Sequence, residues 1–120
     1  MPESPSPRPV VMKFGGTSLA TPAARAQAAS RVAERVAEGH AVVVVVSAMG
    51  RRGDPYATDT LLSLLPDLQA VPAREVDALL ACGEEISAAV FAALLRQKRV
   101  PPCGARGLVV QASAGVRSRG

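Results

Sequence analysis

Residues 10–18 read Val-Val-Met-Lys-Phe-Gly-Gly-Thr-Ser. A short apolar run ends in a lone lysine, Lys13, and the pair Gly15-Gly16 follows at once, with hydroxyls at Thr17 and Ser18. A helix start signal comes next at Thr21-Pro22. Strand, glycine turn and helix N-terminus together hold phosphate, because glycines let backbone N–H groups approach the anion and the helix dipole favours negative charge there. A nearby ammonium adds a point charge for a transferring phosphoryl group. The segment has neither the G-x-x-x-x-G-K-[ST] nor the G-x-G-x-x-G spacing. Its lysine precedes the glycines, so a phosphate site of a different kind is expected.

Other residues could do chemistry, but each has an equally ordinary reading on its own. Ser47 follows an apolar run and could as well satisfy backbone groups. Thr58 is placed to cap a helix. Glu84, after Gly83, suits the first turn of a helix. Arg51 and Arg52 read as a solvated loop, and His40 as a surface residue near a helix end. Cys82 and Cys103 have no partners at metal-ligand spacing and read as reduced thiols.

The elements that must position these residues follow from pattern. Val10–Phe14 is a first strand. Thr21 caps a helix with Pro22 at its first position. That helix runs to about Glu38 with Ala28, Val32, Ala33, Val36 and Ala37 on one face, and Gly39 stops it. The run 41–46, AVVVVV, does not alternate, which predicts a strand buried on both faces of a parallel sheet with helices on each side. Strand, helix and strand make one right-handed unit, and ligands in such sheets sit beyond the carboxyl ends of the strands. Gly15-Gly16 and Ser47-Ala48-Met49-Gly50 both fall there. Residues 51–57 form a polar loop. Thr58 or Asp59 caps a short helix through Leu65, which Pro66 ends. A further helix starts near Pro72-Ala73 with Val76, Leu79 and Leu80 inward, and Gly83 interrupts it. Glu84 opens the next, which runs to about Gln97 with Ile86, Val90, Phe91, Leu94 and Leu95 as its apolar set. Past Val100 only a short strand at 107–111 stands out.

Composition excludes several function classes. At 120 residues this is at most one domain, and with no Trp and 2% aromatic residues its core is aliphatic. The net charge of +4 lies in the C-terminal stretch: residues 1–95 carry eight basic and ten acidic side chains, residues 96–120 six basic and none acidic. A basic face with stacking aromatics is missing from the body, so nucleic acid is not expected as a partner. Residues 1–8 lack the apolar core of a signal peptide and read as a disordered lead-in. The run 41–46 is far too short to cross a membrane, and a cytoplasmic location is expected.

Taken together, KFGGTS at 13–18, VVVVVSAMG at 42–50, DPYATDTLL at 54–62 and PAREVDALLACGEEIS at 72–87 resemble the N-terminal part of bacterial aspartate kinases, members of the amino-acid kinase family. The resemblance covers about residues 9–99. It implies an α/β fold, a partial α/β/α sandwich with a parallel sheet, in which 9–100 form part of the kinase domain. It implies an enzyme that uses ATP with Mg²⁺ to phosphorylate the β-carboxylate of L-aspartate. The product would be 4-phospho-L-aspartate, the first step towards lysine, threonine and methionine. Lys13, Phe14, Gly15 and Gly16 match the family's ATP-phosphate motif, with Lys13 catalytic. Ser47, Thr58 and Glu84 match its substrate-binding positions. No residue of the chain is implied as a metal ligand. Full-length relatives would assemble as homo- or hetero-oligomers.

After the Glu84 helix the family continues with a strand and a small-residue loop, where this chain has Pro-Pro-Cys-Gly-Ala-Arg-Gly at 101–107. Residues 101–120 read as a divergent, disordered basic tail, as a shifted frame or truncated gene would give. The resemblance then implies an inactive fragment, and the alternative is a non-catalytic relic or subunit-like piece that pairs with a complementary chain.

Overall fold

The computed structural model describes residues 8–51, 53–100 and 108–112. Strand β1 (Val10–Phe14) leads through a 3-10 turn at Thr17–Leu19 into helix α1 (Pro22–Ala37), and strand β2 (Val42–Val46) follows. A short helix α2 (Thr58–Leu62), a second 3-10 turn (Leu68–Ala70) and the long helix α3 (Ala73–Gln97) precede strand β3 (Leu108–Ala112).

The strands form one parallel sheet in the order β1-β2-β3. Val10 pairs with Val42 and Phe14 with Val46, and on the other edge Val42 pairs with Leu108 and Val46 with Ala112. Both connections step the same way across the sheet, and right-handed crossovers then bring α1 and α3 to the same face. There Val42, Val44 and Val46 pack with Ala28, Ala29 and Val32 of α1 and with Phe91 and Leu95 of α3. The Phe14 and Phe91 rings meet at 5.5 Å between centroids, a tilted pair that ties α3 to the end of β1. The described residues thus supply the sheet and one helix layer of the expected sandwich. On the opposite face Val11 is 66% exposed, whereas Val45, in the central strand, is 9% exposed.

Helix ends follow local chemistry. Thr21 Oγ1 accepts from the Ala24 N–H at 3.1 Å, a cap worth about 1 kcal/mol. At the other end of α1 the Gly39 N–H donates to the Val36 carbonyl and the His40 N–H to the Arg35 carbonyl, the paired bonds of a Schellman motif. The same motif closes α3: Arg99 N–H donates to Arg96 and Val100 N–H to Leu95, with Arg99 in the left-handed region at φ 61°.

Four expectations are corrected. Gly83 does not interrupt a helix, because α3 runs unbroken through it. Glu84 therefore lies mid-helix and not in a first turn. Neither Thr58 nor Asp59 caps α2: its N-cap is Ala57, with no side-chain cap, and the helix ends at Leu62. Ile86 is 37% exposed, because the inward face of α3 runs through Gly83, Glu84, Ser87, Phe91 and Leu95. A strand forms at Leu108–Ala112, where a short strand at 107–111 was expected. The lead-in at 1–7 and the rest of the tail, 101–107 and 113–120, lie outside the described residues, as does Arg52.

Helix α3 is also long and apolar enough, by length and composition, to cross a membrane. Its apolar residues Phe91 and Leu95 are 1% exposed against the sheet, which is how the core helix of a parallel α/β unit packs.

Candidate functional site

Lys13 is the fourth residue of β1, on the face opposite the helices, and is exposed. Beyond Phe14 the chain turns through Gly15-Gly16 into the 3-10 turn, where the Ser18 N–H donates to the Gly15 carbonyl and the Leu19 N–H to the Gly16 carbonyl, both at 3.1 Å. The two glycines differ in surroundings. A Cβ on Gly15 would meet nothing within 4 Å, so that position faces open space. A Cβ on Gly16 would lie 2.7 Å from the carbonyl oxygens of both Ala48 and Gly50. Only glycine allows the first turn to press this closely against the loop after β2.

That loop is bound to the turn by backbone bonds. The Ser47 N–H donates to the Phe14 carbonyl at 3.1 Å, and the Gly50 N–H to the Gly16 carbonyl at 3.0 Å. The β1–β2 ladder therefore continues past both strands, and the two loops make one surface at their carboxyl ends, where open parallel sheets bind ligands. Ser47 is half-buried on that rim, while Ala48 and Met49 are buried under it.

Helix α3 reaches the same place. A Cβ on Gly83 would lie 3.4 Å from the Ala48 Cβ, 3.4 Å from the Tyr56 carbonyl and 2.6 Å from Leu61 Cδ1. The glycine is there for close packing, and it sets the next residue, Glu84, beside the loop after β2. Glu84 is buried, at 9% exposure. In the loop 51–57 the Asp54 carboxylate accepts from the Arg51 N–H at 2.7 Å and the Asp54 carbonyl from the Thr60 hydroxyl, which fixes the start of α2. Thr58, the first residue of α2, is exposed beyond that loop.

The structure thus brings Lys13, Phe14, Gly15, Gly16 and Ser47 to the carboxyl ends of β1 and β2, and packs Gly83, the residue before the buried Glu84, against Ala48 of the adjoining loop. Thr58 sits on the neighbouring loop, with a side chain that is not buried among them. A depression of about 790 Å³ lies elsewhere, lined by Asp59, Ser63, Pro66, Asp67 and Gln69, and none of the candidate residues borders it. Among the described residues no three His, Cys, Asp or Glu side chains gather as a metal site.

Pattern reading missed Arg25. The sequence placed it only off the apolar face of α1, with no role, but Arg25 Nη1 donates to the Leu19 carbonyl at 2.8 Å and lies 3.9 Å from Met49 Sδ. The available signal was a cation in the first turn of a helix, where the macrodipole disfavours it.

The amino acid kinase family matches residues 8–118. Aspartokinase 1 of Bacillus subtilis (strain 168) is 50% identical over 99 residues, which is 82% of this chain and 24% of that protein. The aspartokinase of Geobacillus stearothermophilus is 43% identical over 90 residues, 74% of this chain and 21% of its own length. Among solved structures, an aspartate kinase from Synechocystis superimposes with a TM-score of 0.73 at 29% identity, over 88% of this chain and 21% of that one. The chain spans about a quarter or less of the length of these relatives.

Proposed function

The chain belongs to the amino acid kinase family, and from that premise we propose that its glycine rim is the phosphate-binding part of an aspartate kinase site. The observation that carries the reading is the interlock of Gly16 with the loop Ser47–Gly50, which leaves Gly15 open and Lys13 exposed beside it. In this reading the backbone N–H groups of the turn and the Lys13 ammonium serve one polyphosphate.

In the proposed reaction the β-carboxylate of L-aspartate attacks the γ-phosphorus of ATP. An O–P bond forms as the bond to the β,γ-bridging oxygen breaks, and ADP leaves with the electron pair, giving 4-phospho-L-aspartate. The nucleophile is ionised at neutral pH and needs no base. Lys13 and the Gly15-Gly16 amides neutralise charge on the transferring group, which is most of what such catalysis asks of a protein. Glu84 attracts the substrate α-ammonium, an attraction strengthened where the carboxylate is withdrawn from water. Ser47 and Thr58 orient the amino acid from the two loops. Mg²⁺, carried on the ATP phosphates and largely water-coordinated, would shield their charge.

Residues 9–100 are, in this reading, part of a kinase domain of a cytoplasmic enzyme of lysine-pathway type, oligomeric at full length. The 120 residues alone hold nucleotide without turnover. A non-catalytic piece that works with a complementary chain is the second reading, favoured by the exposed Val11 face of the sheet.

Calorimetric titration with Mg-ATP tests the proposal. Binding that falls at least tenfold in Lys13→Ala is expected, with no aspartate-dependent ADP release. Binding indifferent to Lys13 would refute the site, and ADP release requiring both aspartate and Lys13 would refute the lack of turnover.

A further inference from the structure

Arg25 stands in the first turn of α1, where the helix dipole repels a cation. Its placement calls for a compensating partner, and the structure provides two. The guanidinium turns back over the helix start, so that Nη1 donates to the Leu19 carbonyl at 2.8 Å and lies 3.9 Å from the Met49 sulfur. Leu19 closes the 3-10 turn that begins beside Gly16, and Met49, 8% exposed, lies inside the loop whose Gly50 N–H bonds to the Gly16 carbonyl. One side chain therefore touches both halves of the rim from behind. Its own main-chain N–H is bonded to the Thr21 carbonyl at 2.9 Å, so the stem is anchored in a capped helix end.

We propose that Arg25 is a positioning residue, which fastens the glycine turn to the loop after β2 so that Gly15 and Gly16 present their N–H groups to a polyphosphate in one fixed arrangement. This rests on the phosphate reading of the rim. Arg25 acts through Leu19 and Met49 and does not itself touch the nucleotide. Both contacts come from the same nitrogen, Nη1, on a rigid planar group whose stem is fixed in the helix, so the carbonyl and the sulfur are held together. Lysine, with a single compact head, can keep the carbonyl bond alone.

The test is amide hydrogen exchange and NMR titration on the full 120-residue chain. In Arg25→Met, which keeps the apolar stem, exchange at the Gly50 N–H is expected to quicken at least tenfold while Val44 and Val46 stay as protected as before. The Mg-ATP response at Gly15 and Gly16 should weaken at least fivefold, and Arg25→Lys should recover part of both effects. A residue with only a general structural role would lower protection across β2 as well. Unchanged exchange at Gly50 in Arg25→Met overturns the proposal. Should that variant lose its fold, Met49→Leu decides: it removes the sulfur at nearly constant volume, and the proposal requires faster exchange at Gly50 alone. Failure of the unsubstituted chain to respond to Mg-ATP would refute the phosphate reading itself, an outcome separate from the Gly50 exchange rate.

Discussion

Adjacent glycines at 15 and 16 have different jobs. Gly16 is required by the carbonyls of Ala48 and Gly50, which a Cβ would overlap, whereas Gly15 has free space that a ligand can use. Gly16→Ala should therefore cost about 1–3 kcal/mol, the usual cost of overpacking. Gly15→Ala should change stability by less than about 0.5 kcal/mol yet weaken Mg-ATP binding. Thermal denaturation and calorimetry on the pair check this, and equal losses of stability would refute it. The motif, its lysine and its place after a strand were legible in the sequence, because they are local. The division of labour within Gly15-Gly16 was not, because it depends on a loop far along the chain. Gly83 shows the same limit. Read locally, a glycine in a helical pattern is a break, and Glu84 then becomes a first-turn residue. In the fold, Ala48, Tyr56 and Leu61 crowd that position, and the helix tolerates glycine, at about 1 kcal/mol against alanine, because nothing larger fits.

Elements with strong end signals were read well. Strand β1 and helix α1 stand where the apolar run, Thr21-Pro22 and Gly39 put them. Helix α2 was read too long and with the wrong cap, because its start is fixed by the Thr60 hydroxyl donating back to the Asp54 carbonyl of the preceding loop and not by a side chain at the cap position, which is Ala57. The end of α3 gave no warning of its geometry: its Schellman turn has arginine where glycine is usual. A non-glycine residue in the left-handed region pays roughly 1–2 kcal/mol. Arg99→Gly should recover about 1 kcal/mol, less the added freedom of the unfolded chain, seen as a higher midpoint in urea with an unchanged slope. A lower midpoint would mean that the Arg99 side chain makes a stabilising contact that outweighs its backbone strain.

At the scale of the molecule, the valine run forms a buried parallel strand as expected, the middle one of the described sheet, but where helices were expected on each side both crossover helices lie on one face. The opposite face is shielded at Val45 and open at Val11. The reason is topological: two crossovers in the same direction share a side, and hydropathy along β2 says only that the strand is buried, not by what. Val11 also lies on a strand with one sheet neighbour among the described residues, the situation that promotes association between chains. Val11→Lys should leave unfolding free energy within about 0.5 kcal/mol and reduce self-association of the 120-residue chain by sedimentation velocity. Unaltered association would show that this face is not where copies meet.

The bonds that close the rim, from Ser47 to Phe14 and from Gly50 to Gly16, join residues of the first strand–helix–strand unit only. Glu84 and β3 come later in the chain. During synthesis the segment proposed to hold phosphate is thus complete while the helix bearing Glu84 is still being made. Closing a loop of this length costs only a slowly growing entropy, so the proposed anion site has no need to wait for the residue proposed to bind the amino acid. On the proposed reading, the two strands and their connecting turns emerge as one unit, and α3 covers them afterwards.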